Sequence, residues 1–247
     1  MKKKVFAAMI VIAFLVQTFL VAFTYAASPS EVEKVVFVHN ASNAKAKPPA
    51  QNAGNYKLMG IKWGVSALPV QFAVNYEGSG IDAASVKYTI LLAANEWDDG
   101  AYSQSEGLGW TGTSADLFAN YEASTVPSTT VTMAGYDGTN EIFWGDLGIS
   151  GTIAVTTVWY NRFTKQILEF DMEFNTYYTW TASPNGISGT MDLQNIATHE
   201  LGHSVGLADL YQPSATKETM YGYSSYGDIT KRDLYLGDQA GIKKLYG

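Results

Sequence analysis

The 247-residue sequence contains no cysteine, and this absence restricts both its stability and its chemistry. Without cysteine the chain forms no disulfide bonds and offers no thiolate as a nucleophile or a metal ligand. The fold must therefore be stabilised by its hydrophobic core, by bound metal ions, or by both. An apolar content of 47% is sufficient for such a core.

Basic residues are also scarce: 16 lysines and arginines stand against 23 acidic residues, giving a formal net charge of −7. The first 26 residues contain three lysines and no acid, so the rest of the chain carries −10. A chain this acidic repels a phosphate backbone. We therefore expect no nucleic-acid partner.

The N-terminus has the pattern of an export signal. Three lysines precede an apolar stretch over residues 5–23, and small residues follow at Ala26 and Ala27. This pattern predicts a signal peptide over residues 1–26, with cleavage after Ala26. The apolar stretch is long enough to cross a bilayer, so an uncleaved anchor is the alternative. In either case we expect an extracellular domain, with membrane contact only through an uncleaved N-terminus.

Residues 27–54 are rich in alanine, serine, asparagine, lysine and proline, which is typical of a linker or a short propeptide. The segment contains one apolar run, residues 35–38, which is followed by His39. A surface histidine is the default interpretation of His39 and masking of a metal is the alternative, so we assign it no role. Residues 55–247 are long enough for one folded domain.

Alternating and β-branched segments predict strands in this domain. Residues 70–76 alternate between apolar and polar side chains, as a half-buried strand does. Residues 152–160 are β-branched and aromatic, and residues 168–175 alternate, so we expect an antiparallel pair joined by residues 161–165. Between them, residues 102–151 are rich in glycine, serine and threonine, with short strand-like runs such as residues 131–133.

Two segments carry apolar residues at helical spacing, and each follows a capping residue. Asp82 precedes the first and Asp192 precedes the second. The second segment carries His199, Glu200 and His203, so these three side chains are expected on a helix.

The histidines of the second helix have the spacing of a metal site. His199 and His203 lie one turn apart on the same face, so both imidazoles can reach one cation. Glu200 lies about 100° around the helix, where it can take a proton without being a ligand. Gly206 is placed to end the helix in a left-handed conformation, so that Asp209 arrives as the third ligand. Three protein ligands leave a catalytic metal one open position.

The run from His199 to Asp209 resembles the long zinc motif of the metzincin metallopeptidases, with Asp209 in place of the usual third histidine. Residues 219–223 resemble the methionine turn of the same enzymes, which implies that Met220 lies beneath the metal. A surface helix with incidental histidines is the alternative interpretation of the motif.

Within the metzincins, residues 56–63 and the C-terminal segment 236–247 resemble the matrixins. The resemblance implies an α+β fold: a twisted, largely parallel mixed sheet with one antiparallel edge strand, an active-site helix, and a C-terminal helix after the methionine turn. It also implies that substrate lies extended along the edge strand, residues 152–160, and that Tyr221 and Tyr223 line the pocket beyond the scissile bond.

The matrixin resemblance also bears on a second metal. Asp171 and Glu173 match positions at which matrixins hold structural Ca²⁺, but we favour a solvated polar face of the strand, with calcium as the alternative. The chain has no cysteine for the latency switch of animal matrixins.

These features predict a secreted Zn²⁺-dependent endopeptidase. It would act as a monomer on extracellular proteins or peptides, using metal-activated water with Glu200 as the general base. One alternative is an exported, zinc-stabilised binding module without catalysis. Another is a zinc peptidase that acts on small peptides from one end.

Overall fold

The structure is a computed structural model that describes residues 31–42, 55–98, 112–149 and 151–247. The predicted signal peptide or anchor, residues 1–26, lies outside the described residues, as does most of the predicted linker or propeptide. Within the described ranges, no helix combines the length and the apolar character needed to cross a membrane.

The described residues contain nine strands and three α-helices. The strands are β1 (Val32–Ala41), β2 (Lys62–Trp63), β3 (Ala73–Val74), β4 (Glu141–Gly145), β5 (Thr152–Asn161), β6 (Gln166–Asn175), β7 (Trp180–Thr181), β8 (Met191–Asp192) and β9 (Tyr223–Ser224). The helices are α1 (Ala83–Asp98), α2 (Leu193–Ser204) and α3 (Leu236–Tyr246). A mixed sheet runs in the order β3-β4-β6-β5-β1-β9, with β2 also paired to β6, whereas β7 and β8 pair separately. The predicted α+β class is confirmed.

The predicted antiparallel hairpin is formed by β5 and β6. Val158 is paired with Phe170, and the register continues to Ala154 opposite Phe174. In the connecting turn, Asn161 Oδ1 accepts hydrogen bonds from the backbone N–H groups of Phe163 and Thr164, which closes the loop without a glycine.

The strand predicted over residues 70–76 is shorter than expected. Only β3, Ala73–Val74, forms a ladder, and it pairs in parallel with β4. The backbone on either side bonds elsewhere: Val70 N–H donates to Leu117 O, and Val74 N–H donates to Pro127 O. These long-range contacts cannot be inferred from local alternation. The strand-like run at residues 131–133 is not a strand in the structure.

The free side of β5 is covered by β1. The two strands pair antiparallel from Val32 opposite Asn161 to Asn40 opposite Thr152, and Asn40 also pairs in parallel with Tyr223 of β9. A strand edge presents unpaired N–H and C=O groups, and a second strand satisfies them. The antiparallel strand that was expected at the edge is therefore an inner strand, and part of the predicted linker or propeptide lies beside it.

The two long helices pack against each other beneath the sheet. Both predicted caps are confirmed: Asp82 Oδ1 accepts from Ser85 N–H at 3.0 Å, and Asp192 Oδ1 accepts from Asn195 N–H at 2.9 Å. Trp97 of α1 is fully buried and donates its indole N–H to Thr198 O of α2 at 2.8 Å. This contact fixes the distance of α2 from α1 and its rotation about the helix axis.

The β6 face with Asp171 and Glu173 was expected to be solvated, but Asp171 is buried and Glu173 is partly buried. Asp171 and Glu169 are each 1% exposed because the loop before β4 lies across them. Glu169 accepts a hydrogen bond from Asp137 N–H at 3.0 Å, and Asp171 accepts one from Gly135 N–H at 2.8 Å. The prediction of a solvated face at Asp171 is therefore wrong. Burial raises the pKa of both carboxyl groups to about 7.

We expect this buried pair to make stability depend on pH. The pKa of each group is higher in the folded state than in the unfolded chain, so the folded state retains protons that the unfolded chain has released. The free energy of unfolding should therefore fall between about pH 4 and about pH 7. A Glu169→Gln, Asp171→Asn double variant should lose less stability over that range, as measured by urea unfolding. Glu77→Gln, at an exposed carboxylate, is the control. Equal pH slopes in all three proteins would contradict the assignment.

Candidate metal centre and catalytic site

Helix α2 brings His199 and His203 together in the interior of the protein. The side chains are 0% and 1% exposed, and their ring centroids lie 4.8 Å apart. The start of the helix is fixed by Asp192, whose Oδ1 also accepts a hydrogen bond from Arg232 Nε at 2.9 Å. The one-turn spacing expected from the sequence therefore appears as two adjacent imidazoles on one helix face.

Backbone carbonyls determine which nitrogen of each histidine is free. His199 Nδ1 lies 2.7 Å from Thr219 O, and His203 Nδ1 lies 2.8 Å from Leu207 O. A carbonyl only accepts, so both Nδ1 atoms carry a proton, and each imidazole in its neutral form presents the lone pair of Nε2. Burial lowers the pKa of His199 to about 3, which keeps this imidazole neutral.

Gly206 turns the chain back toward the histidines, as predicted. Its φ of +107° lies in the left-handed region, and a Cβ at this residue would lie 2.5 Å from Ile61 O. The turn places Asp209 Oδ1 3.2 Å from His199 Nε2 and 3.5 Å from His203 Nε2. The three residues predicted as ligands thus form one cluster of possible metal-binding atoms.

The cluster has the arrangement of a cation site. His199 Nε2 and Asp209 Oδ1 are buried, and neither has a hydrogen-bond donor among the described residues. Acceptors that face each other out of contact with water are unfavourable unless a cation lies between them. Zinc bonds of about 2.0–2.2 Å in a tetrahedron place ligand atoms about 3.3–3.6 Å apart, close to the observed separations. The donor set therefore fits zinc.

Tyr211 holds Asp209 in this orientation, and no pattern in the sequence marked it among 16 tyrosines. Its hydroxyl donates to Asp209 Oδ2 at 3.0 Å, which leaves Oδ1 facing the histidines. Hydrogen bonds of this kind to a ligand fix its geometry and raise metal affinity.

Glu200 lies beside the ligand cluster and is completely buried. Its Oε2 accepts a hydrogen bond from Thr156 Oγ1 at 2.6 Å, and its Oε1 lies 3.0 Å from His39 Nδ1. Burial raises the pKa of Glu200 to about 7, with His203 and Thr156 acting in the opposite direction. A carboxyl group that titrates near neutrality can both accept and return a proton.

Met220 packs against Gly202 of α2, the helix that carries the predicted ligands. The side chain is 2% exposed, and a Cβ added at Gly202 would overlap its sulfur. Asp238 of α3 fixes this turn by accepting hydrogen bonds from Met220 N–H at 3.1 Å and Thr219 N–H at 2.6 Å. Because Thr219 O in turn holds His199, the C-terminal helix positions a predicted ligand. Sequence reasoning did not identify Asp238.

The two tyrosines predicted at the substrate pocket follow Met220. Tyr221 is partly buried, and its carbonyl accepts a hydrogen bond from Lys231 Nζ. Tyr223 is 38% exposed and belongs to β9, where it pairs with Asn40. Their rings lie 5.7 Å apart in an edge-to-face arrangement.

His39 is buried beside Glu200, so the default interpretation of a surface histidine is wrong. It is 1% exposed, and its ring centroid lies 4.0 Å from that of His199. Phe37, two residues earlier, stacks on His203 at 3.9 Å. The pairing of β1 with β5 places both side chains over the predicted ligands. The only sequence signal was that the third histidine follows an apolar run.

The two residues considered for calcium do not join a cluster of His, Asp or Glu side chains in the part of the chain that the structure describes. The groups of candidate ligands found there are His199, His203 and Asp209, and His39, His199 and Glu200. Asp171 and Glu173 belong to neither group.

We expect Asp209 to contribute more to zinc affinity than Tyr211 does. Asp209→Ala removes a ligand, and Tyr211→Phe removes only the bond that orients it. The Tyr211 variant should therefore lose about tenfold to hundredfold in zinc affinity, and the Asp209 variant should lose more. Competition with a chelating indicator measures both, with exposed Tyr88→Phe as the control. Unchanged affinity in Asp209→Ala would show that another group is the third ligand.

Comparison with known proteins shows a similarity to the matrixins. Residues 152–247, from β5 to the C-terminus, match the family model described as matrixin. Metalloendoproteinase 1-MMP of Arabidopsis thaliana is 45% identical over 58 residues, which cover 23% of this chain and 15% of that protein. Human matrilysin is 38% identical over 77 residues, covering 31% of this chain and 27% of that protein. Human matrix metalloproteinase-25 is 35% identical over 77 residues, which cover 31% of this chain and 13% of that protein.

The chain thus aligns with less than a third of the length of each of these relatives. The matched region contains the histidine helix, the methionine turn and the C-terminal helix, which are the elements that build the site described above. Residues 152–247 are therefore similar to the matrixin family of metalloproteinases.

Proposed function

We propose that this chain is an exported, zinc-dependent endopeptidase in which His199, His203 and Asp209 hold the metal and Glu200 is the general base. One observation carries the proposal: three buried acceptor atoms converge on one point beside a buried carboxyl group whose pKa is near 7. The matrixin relatives are metalloproteinases by name, which agrees with this chemistry.

Zinc in this site would supply Lewis-acid activation of water and of the scissile carbonyl. The chain's own residues prepare the site for that role. Thr219 O and Leu207 O keep the two imidazoles in the tautomer that presents Nε2. Tyr211 holds the Asp209 carboxylate so that one oxygen remains directed at the histidines.

Glu200 is placed to move the proton. Thr156 donates to Oε2, so once His39 has left, Oε1 is the atom that can take a proton from the attacking water and deliver it to the leaving amine nitrogen. The buried surroundings exclude bulk water, and Glu200 needs no serine or cysteine nucleophile to complete hydrolysis. An intact general base also argues against a binding module without catalysis.

The groove beside β5 supports an extended peptide as substrate. Its backbone groups pair with β1 on one side, and β9 adds parallel pairing near Tyr223. Main-chain pairing of this kind binds a peptide with little dependence on its sequence. In this proposal Tyr221 and Tyr223 line the end of the groove beyond the scissile bond, and the substrates are extracellular proteins or peptides.

Export and activation complete the proposal. Residues 1–26 act as a signal peptide, with an uncleaved anchor as the alternative, and residues 27–54 act as a propeptide. Support for the propeptide comes from β1, which fills the groove that a substrate would need, and from His39, which contacts the proposed base.

Glu200→Gln should abolish proteolysis while the zinc content stays close to one ion per chain. The substitution removes the group that takes the proton but no ligand, so hydrolysis should slow by at least about a hundredfold. Casein hydrolysis and elemental analysis measure the two effects, with exposed Glu122→Gln as the control. Loss of zinc from the Glu200 variant would contradict its assignment as base.

The full chain should be nearly inactive until it is cut within residues 43–54. His39→Ala should raise the activity of the uncut chain by about tenfold, because it removes hydrogen bonds to two charged groups and weakens the hold on β1. Hydrolysis of a fluorogenic peptide measures this effect. Val36→Ala, on the exposed face of β1, is the control. Equal activity before and after cutting would rule out inhibition by β1.

A further inference from the structure

A buried lysine lies behind His39 and has no role in the proposed mechanism. Lys231 is 2% exposed, and its Nζ lies 3.0 Å from His39 Nε2 and donates to Tyr221 O. No carboxylate of the described residues lies within salt-bridge distance of it. Burial lowers the pKa of Lys231 to about 8, so the ammonium stays charged at neutral pH.

The backbone of Lys231 is fixed by the first turn of α2. Lys231 N–H donates to Asn195 Oδ1 at 2.7 Å, and the neighbouring Arg232 forms an ion pair with Asp192. The side chain therefore extends from a rigid turn to the groove. Its ammonium forms the inner end of the space that the His39 ring fills, with the His199 ring along one side.

β1 shows how a peptide backbone lies in the groove. It is antiparallel to β5 and parallel to β9, and between these pairings the side chain of His39 points inward. A peptide that replaces β1 in the same register places one side chain in the same space. Whichever side chain enters there meets the ammonium of Lys231.

The hydrogen bonds of His39 define what this space requires. Nδ1–H donates to Glu200 Oε1, so Nε2 accepts from Lys231. When β1 leaves, the buried ammonium keeps only Tyr221 O as an identified acceptor. A buried charge that loses an acceptor is costly, and an apolar side chain would not restore it.

Glutamate and glutamine meet this requirement. Their terminal oxygens lie as many bonds from Cβ as Nε2 does in histidine, so they reach the same depth. Glutamate also neutralises the ammonium. A substrate lysine would place a like charge there. Neither oxygen donates to Glu200 Oε1 when the side chain is glutamate, so that atom remains free to take a proton.

We propose that Lys231 determines substrate specificity by selecting peptides that carry glutamate, and next glutamine, at the position His39 occupies in β1. This inference rests on the proposed endopeptidase function and adds a substrate class to it. If Lys231 only supported the Tyr221 carbonyl, its replacement would change kcat/KM by the same factor for all peptides. If Lys231 determines specificity, its replacement changes the order of the kcat/KM values among the peptides.

The test uses the full chain after cutting at a specific-protease site placed within residues 43–54. Five peptides carry the sequence of β1 and differ only at the residue that replaces His39: Glu, Gln, Leu, Ala or Lys. The wild type should show a kcat/KM for the Glu peptide about tenfold to hundredfold above that for Leu, with Lys lowest. Lys231→Met should reverse the order of Glu and Leu, and exposed Lys244→Met should keep the wild-type order.

The outcomes separate the two claims. Cleavage of all five peptides at similar rates, or the same order in Lys231→Met as in the wild type, would overturn the role of Lys231 and leave the proposed function intact. Failure to cleave any peptide after cutting, with zinc bound, would count against the endopeptidase function.

A second experiment tests Lys231 without catalysis, in the uncut full chain. Thermal unfolding compares the variants His39→Gln and His39→Leu. Each variant is measured once with Lys231 intact and once combined with Lys231→Met. The Gln variant should have the higher Tm when Lys231 is present, and the Leu variant when methionine replaces it. The same order of Tm values with Lys231 and with methionine would show that Lys231 does not discriminate between side chains in this space.

Discussion

The structure depends most on one unfavourable arrangement, in which three possible metal-binding atoms face one another in the protein interior. These atoms are His199 Nε2, His203 Nε2 and Asp209 Oδ1. Three acceptors without a shared cation would repel one another and would lack the solvation they have in water. The fold holds them together with bonds to their opposite sides, from two backbone carbonyls and from Tyr211. Holding these atoms together thus lowers the stability of the metal-free fold, and metal binding then stabilises the site.

The groups that prepare the site come from distant parts of the chain. Asp238 is the clearest case, because this carboxylate in α3 holds the turn at Thr219, and the carbonyl of Thr219 orients His199. Trp97 of α1 fixes the same helix from another side through Thr198 O. The C-terminal helix and the first long helix therefore act on the site although neither contributes a ligand.

Local spacing was enough to predict the elements that carry the site. The four-residue separation of His199 and His203, the cap at Asp192 and the left-handed Gly206 are all short-range features. The remaining contributors could not be predicted, because their roles arise from contacts between residues far apart and their residue types are common. They are Tyr211, Asp238, Thr156, Lys231 and His39. Local alternation likewise could not show that Val70 and Val74 bond to separate loops, which leaves β3 with two ladder residues.

The proposed inhibitory strand and the proposed substrate compete for the same groove, so a difference in side-chain chemistry must distinguish them. Histidine at residue 39 offers an acceptor to Lys231 and a donor to Glu200. The second bond occupies Oε1, the atom that must take the proton. Glutamate in the same space would satisfy Lys231 equally but would leave Oε1 unoccupied. One lysine can therefore retain both peptides, while the presence or absence of an N–H toward Glu200 decides whether the bound peptide blocks the base or leaves it free to react.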